Sequence, residues 1–489
     1  MAWLLPEPPP WLPGEWLLLL LFVALGAGYV VYLPSFEGPD EPEHARYVQA
    51  LAEGATIHPV PEEARLRWGF QVHHPPLYYR LAGTVASFAE LRFPDALVLN
   101  PAQNPHVPFI RHDLPGHRFP FDAVGRSLRA LRLLSLLFGV GTFLVLRRIF
   151  ALLFPEEPAS RLFLLAASML APNTLQIFST VSNDGLSLLF ASALLLVAIA
   201  IVRSREPAPA AFALAGACAG LAVLAKLTGL AAVAVAGSLW LLDALFAGRV
   251  RAYAWSLLCF FAPVFLLLVG PFFVQNVFWY GDPTRESLLQ ALTPAYHLAE
   301  ARTLAEVLGL IAVHLPLQLA ADLGWQTVRF GLLSAALFWP ALVAVLLSGV
   351  FAWRQRDASG RRAVEWLIPI LSLAWGLVLL VVANRSWTNL QIRHVWCLAP
   401  FLLIGVADAL RRLPAPIRAR GRAAAAGAIA ALVLLNAAVA LRFHGFYAPG
   451  PGTLLDRDYR TFLYTHARDP QGAREYLRHG RSRVGPSLP

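Results

Sequence analysis

The sequence predicts an all-α, polytopic membrane protein. Three observations carry this: an apolar composition, recurrent apolar stretches of membrane-spanning length, and arginine confined to the loops between alternate stretches. Of the 489 residues, 57% are hydrophobic and only 14% are charged. With a mean hydropathy of +0.56, the chain is too apolar for a soluble core of this size.

Stretches of about 18 to 25 apolar residues, enough to cross a hydrocarbon layer as helix, recur at about eleven places. They lie near 16–34, 127–146, 162–181, 185–202, 209–225, 227–247, 253–274, 329–350, 364–383, 395–410 and 423–441. The first follows "MAWLLPEPPPWLPGE", which has two Glu and no Lys or Arg. Lacking the positive start of a secretory signal, it reads as a retained anchor.

The net charge of +10 and a pI near 9.9 would suggest a polyanion partner in a soluble protein. Here the arginines cluster in short loops: Arg147, Arg148 and Arg161; Arg203 and Arg205; Arg249 and Arg251; Arg354, Arg356, Arg361 and Arg362; Arg411, Arg412, Arg418, Arg420 and Arg422. Short arginine-rich loops are cytoplasmic. Basicity therefore reports topology, not nucleic acid. It puts the amino terminus inside and segments 35–126, 275–328, 384–394 and the basic tail 442–489 outside.

Cys218, Cys259 and Cys397 all fall within predicted spans, which favours small packing residues over disulfides or a metal site. No internal repeat is evident, so the inverted-repeat design of many transporters is not suggested.

The first outside segment holds two short helical patterns and is expected to form a structured layer against the membrane. One runs from about Asp40 to Glu53, with Pro42 in its first turn and Gly54 after it. The other begins at "HHPPLYY", with Pro75 and Pro76 at the first helical positions. An Asp before such a helix needs no role beyond capping. Yet capping uses one acceptor, whereas "GPDEPEHARY" supplies Asp40, Glu41 and Glu43, with His44 one turn after Asp40.

On these residues the chain resembles the GT-C superfamily of polytopic glycosyltransferases, and within it the protein O-mannosyltransferases and the lipid A aminoarabinose transferases. "DEPEH" looks like the acidic pair followed by histidine of the mannosyltransferases. "HHPPLYY" is similar to the basic residue, Pro-Pro and aromatic that open a juxtamembrane helix in the same loop. Further along come Ser182-Asn183-Asp184, "LAVLAKLTGL", "NVFWYGDP" and "NLQIRHVW", in the family's order. Two departures leave the donor sugar open: His74 stands where the aminoarabinose transferases carry Lys, and "QIRH" replaces Gln-Gly-Arg-Tyr.

The resemblance implies a GT-C-like transmembrane domain over 1–441 in an inner-membrane, multi-pass protein, with its active site on the extracytoplasmic face. It also implies a polyprenyl-phosphate-linked sugar as donor, reached from the surrounding membrane lipids. The absence of a glycine-rich nucleotide fingerprint agrees. The acceptor class, whether protein, lipid or glycan, stays open. No cofactor is required; a divalent ion is compatible with carboxylates beside a phosphate, but no dedicated metal ligand set is visible.

Such chemistry needs a base for the acceptor hydroxyl and cations for the departing phosphate. Asp40 is the candidate base, with Glu41 in reserve. His74, Lys226 and Arg393 are the candidate phosphate ligands, with backbone N–H groups of the helix starting at Pro75 adding to His74. Lys226 is the single Lys in the chain; it either snorkels to the interface or serves as an intramembrane cation with a function. His44, His73, Asp184, Asp282, Arg285 and His394 form a second rank. Of these, Asp184 also fits a helix cap and the "GDP" around Asp282 a plain turn.

Tyr78, Tyr79, Trp279, Tyr280, Trp325 and Trp387 read as an interfacial belt. Competing readings are a transporter or flippase using Asp184 and Lys226, a polymerase or ligase of the same glycan pathway, and a noncatalytic membrane partner.

Overall fold

The computed structural model describes residues 10–64, 69–89, 121, 123–204, 206–293, 298, 300–320, 322–323, 328–354, 364–386, 392–412 and 421–447. The tail beyond residue 447, Trp325, Trp387 and the loop arginines Arg205, Arg356, Arg361, Arg362, Arg418 and Arg420 lie outside the described residues.

Each of the predicted apolar stretches is helical. Eight helices among the described residues are long and apolar enough to cross a membrane: Pro13–Tyr32 (α1), Ala123–Leu153 (α4), Asp184–Arg203 (α7), Gly229–Phe246 (α9), Val250–Tyr280 (α10), Gly331–Arg354, Val364–Asn384 and Ile392–Arg411. A ninth candidate is bent by 59° between Pro158–Met169 (α5) and Pro172–Phe178 (α6). The bend follows from Pro172, which has no N–H to continue the ladder and sits at the first turn of α6. Pro209–Ala225 (α8), Leu304–Gln318 and Ala426–Arg442 are shorter apolar helices.

The most buried of these, α7, packs against α4, α8 and α9 at the heart of the bundle. By contrast, α10 shows Leu266, Leu267, Val274 and Phe278 on its surface, as a helix facing hydrocarbon does. The cysteines are unpaired thiols, Cys218 and Cys397 buried and Cys259 exposed.

The first outside segment folds into two helices that lie along one another, Glu41–Ala52 (α2) and Leu77–Phe88 (α3). Gly54, at φ +86°, ends α2; Ala55 N–H bonds Ala50 C=O at 2.9 Å and Gly54 N–H bonds Leu51 C=O at 3.2 Å. This is the Schellman pattern that glycine after the C-cap supports. Gly83 permits the close approach of α3, since a Cβ there would stand 3.3 Å from Val48 O and 3.4 Å from Ala52 N.

A buried ion pair fixes the start of α2. Glu41 accepts from Arg132 of α4 at 2.6 and 2.8 Å, from Val181 N–H at 2.9 Å and from Gly38 N–H at 3.2 Å. Arg132 in turn donates to the carbonyls of Leu33 and Pro34 at 2.7 and 2.9 Å. Both side chains are fully buried. With their polar atoms this well satisfied, the pair joins α1, α2, α4 and the α6–α7 turn at one point.

The second helix starts later than the sequence reading expects. Pro76 is its N-cap and Leu77 its first residue. Pro75 disfavours a helical residue before it, and His74 is accordingly extended, at φ −72° and ψ 153°, after the 3-10 turn Phe70–His73.

Candidate active site

The loop-borne residues converge on one cavity of about 400 Å³. Its wall is built by α2 and the Phe70–His73 turn, by α6 and the start of α7, by the residues after α8, by Glu286–Leu292, and by the 3-10 segment Ile392–Leu398. Asp40, His44, His73, His74, Asp184, Lys226, Arg393 and His394 all line it. These groups come from sequence positions as far apart as 40 and 394, so the fold alone brings them together.

Asp40 occupies the N-cap position of α2, yet its side chain makes no capping hydrogen bond. The residue is held in the left-handed region at φ +56°, and its carboxylate pairs with the Arg393 guanidinium. Capping therefore does not explain this aspartate. Burial pushes its pKa up, but the Arg393 charge, aided by Lys226, overcomes this and leaves the carboxyl below its ordinary value.

A second pair forms across the bundle. Lys226 closes the carboxyl end of α8, and its Nζ lies 2.5 Å from Asp184 Oδ1 at the first turn of α7. The Ser182 hydroxyl is 2.8 Å from the other carboxylate oxygen. Asn183 fastens the two helix ends by donating to Ala225 C=O at 3.0 Å.

The imidazoles form a row. His44 and His74 are stacked with centroids 6.2 Å apart and planes 7° from parallel, and His73 and His74 are 3.9 Å apart. His44 Nδ1 shares a 2.7 Å hydrogen bond with the Tyr79 hydroxyl, and His73 Nδ1–H donates to Phe70 C=O at 2.7 Å. Burial drives the pKa of His44 down to about 3 and that of His73 to about 4, and it holds His74 well below the usual imidazole value. All three rings are neutral at neutral pH.

Three expected residues stand elsewhere. Glu41 does not line the cavity; its carboxylate is engaged by Arg132 and two backbone N–H groups, which corrects its reading as a reserve base. Arg285 is buried outside the lining and donates to Asn276 Oδ1 and Val72 C=O, each at 2.7 Å. Asp282 accepts from the N–H groups of Thr284, Glu286 and Ser287 and shapes the turn before Glu286–Leu292, as the plain turn reading expects. The backbone N–H groups expected from a helix starting at Pro75 are likewise displaced, since that helix begins at Leu77.

Glu43 of the acidic stretch also lines the cavity, and sequence reasoning passed over other lining residues: Gln71, Asn173, Gln176, Thr180 and Trp396. A signal existed for three of them. Asn173, Gln176 and Thr180 interrupt a predicted span, and polar groups inside a span are seldom idle. Among the described residues, no group of three or more His, Cys, Asp or Glu is placed to hold a metal ion.

No protein-family model matches the sequence, and no curated protein matches it significantly. The fold does match solved structures. ArnT from Cupriavidus metallidurans, bound to undecaprenyl phosphate, aligns at a TM-score of 0.50 and 15% identity over 98% of this chain and 82% of that one. The archaeal oligosaccharyltransferase AglB from Archaeoglobus fulgidus, in complex with an inhibitory peptide and a dolichol-phosphate, aligns at 0.50 and 12% identity over 96% of this chain. This chain spans 60% of the AglB chain. The chain thus shares the fold of ArnT and AglB. At these identities the likeness establishes the fold alone.

Proposed function

We propose that this protein is a membrane glycosyltransferase that moves a sugar from a polyprenyl-phosphate-linked donor to an acceptor hydroxyl at the extracytoplasmic face of the inner membrane. The observation that carries the reading is the meeting of the Asp40 carboxylate with Lys226, Arg393 and four histidines in a single cavity. The lipid phosphates bound by ArnT and AglB are consistent with a donor of that class.

Asp40 accepts the proton of the acceptor hydroxyl as its oxygen forms the new bond to the anomeric carbon. The bond from that carbon to the phosphate oxygen breaks, and the electron pair leaves with the lipid phosphate. Lys226, Arg393 and the imidazole row stabilise the charge that develops on this leaving group. Glu41 is tied to Arg132, Asp184 to Lys226 and Glu43 to Arg46, and with Asp40 as the one base the acceptor oxygen attacks the anomeric carbon directly. A single displacement with inversion follows, unlike the paired carboxylates of a retaining glycosidase.

The test is to incubate purified protein with a panel of prenyl-phosphate sugars and identify which one is consumed. Translocation of such lipids across liposomes without any glycosylated product would favour a flippase instead.

A further inference from the structure

The cavity has an electrostatic deficit for its proposed ligand. Its two strong cations are each matched by a carboxylate, Arg393 by Asp40 and Lys226 by Asp184. Glu43, paired with Arg46 at 3.3 Å, and Glu286 are also in the lining and add no positive charge. An entering phosphate therefore meets no net positive charge from these groups. The remaining basic groups of the wall are imidazoles.

We infer that lipid-phosphate binding is proton-coupled: the ligand's negative charge draws one proton from solvent onto the row His44, His74 and His73, which then supplies the missing cation. This rests on the reading of the cavity as a lipid-phosphate site. Contact between the rings limits the uptake to one proton, because a second imidazolium 3.9 Å away would be repelled. The shared proton belongs to the row and not to a single ring.

The groups facing the row act in both directions. Asp40 from α2 and Asp184 from α7 favour the protonated row, while Lys226 after α8 and Arg393 beside His394 oppose it. Tyr79 of α3 occupies His44 Nδ1 as a hydrogen-bond partner. A phosphate tips the balance. A unit negative charge about 4 Å away, at the effective dielectric of a protein, raises the pKa of a base by about 3. That brings His73, at about 4 in the resting cavity, to near neutrality. Arg393 and Lys226 also turn part of their charge to the phosphate, which loosens the Arg393 hold on Asp40 and leaves the base available.

The experiment is isothermal titration of the detergent-solubilised protein with a polyprenyl methyl phosphodiester, whose single charge does not titrate between about pH 5 and about pH 8. Repeating it in buffers of different ionisation heat counts the protons taken up. The expected result at neutral pH is about one proton per lipid bound, with affinity falling as pH rises. His74→Lys should bind the diester without proton uptake and with nearly pH-independent affinity, whereas His74→Asn should lose the uptake and bind about tenfold more weakly. Diester binding by the wild-type protein without proton uptake overturns the inference and leaves the donor reading intact. No diester binding at all removes both. Inorganic phosphate binding as tightly as the diester would assign the row to a free anion and overturn the lipid reading.

Discussion

Asp40 and Arg393 stand 353 positions apart in the sequence and form an ion pair in the wall of one cavity. The pairing joins the proposed base to a proposed phosphate ligand, so in the resting state each occupies the other. Lipid phosphate and Asp40 then compete for the same guanidinium. Binding and base release become one event.

Asp40→Asn is expected to lower the turnover number for sugar transfer by about 10² to 10⁴, the range associated with loss of a general base. Because the substitution removes the competitor for Arg393, the variant should bind polyprenyl phosphate at least as tightly as the wild type. Turnover and lipid affinity measured on the same preparation check both halves. Undiminished transfer would remove Asp40 as base, and weakened lipid binding would contradict the competition.

The fold was legible in the sequence because bilayer thickness imposes one length on every span. The candidate site was legible in part, through Asp40, the histidines, Asp184, Lys226 and Arg393. What the sequence hid was partnership. Glu41 and Asp40 are adjacent acids with indistinguishable local signals. Only tertiary packing sends one to Arg132 of α4 and the other to Arg393. Similarly, Pro75 and Pro76 both suit a helix start, and it takes the extended backbone of His74 to show that the helix waits for Leu77.

Glu41 is accordingly predicted to act on stability. Glu41→Gln takes away the charge partner of a fully buried Arg132, and loss of one member of such a pair costs roughly 3 to 5 kcal/mol. Thermal unfolding in detergent should show a clear drop for Glu41→Gln, while the folded fraction keeps its lipid-phosphate affinity. A variant with normal unfolding and lost transfer would return Glu41 to the catalytic list.

Lys226 combines the two kinds of role, and a pair of variants separates them. Lys226→Met leaves the Asp184 carboxylate buried without its cation, so it should both destabilise the protein and raise the donor KM more than the acceptor KM. Adding Asp184→Asn removes the stranded charge and should recover most of the stability. Donor affinity should stay low in the double variant if Lys226 contacts the phosphate. Recovery of donor affinity together with stability would make Lys226 a structural residue.

The histidine row also gives the protein a pH dependence whose sign is fixed by burial. In the folded protein His44 and His73 have pKa values of about 3 and about 4, against about 6.5 in an unfolded chain. Below about 6.5 the unfolded state therefore binds more protons than the folded one. The contribution of these rings to stability is complete above that value and is lost as pH falls toward about 4 and then about 3. Asp40 adds to the loss only below the ordinary carboxylate range of about 4, and Glu43, raised above its ordinary value by burial, acts in the opposite direction, so a fall in stability between about 6.5 and about 4 reports the histidines. The melting temperature should fall with pH through that interval, and His44→Phe should flatten the slope. A bound lipid phosphodiester should act oppositely, because it favours the protonated row: the stabilisation it confers should grow as pH is lowered from about 7.5 to about 5.5. A ligand-induced shift in melting temperature that is constant over that range would separate the imidazoles from the phosphate and leave the neutral rings with a packing role only.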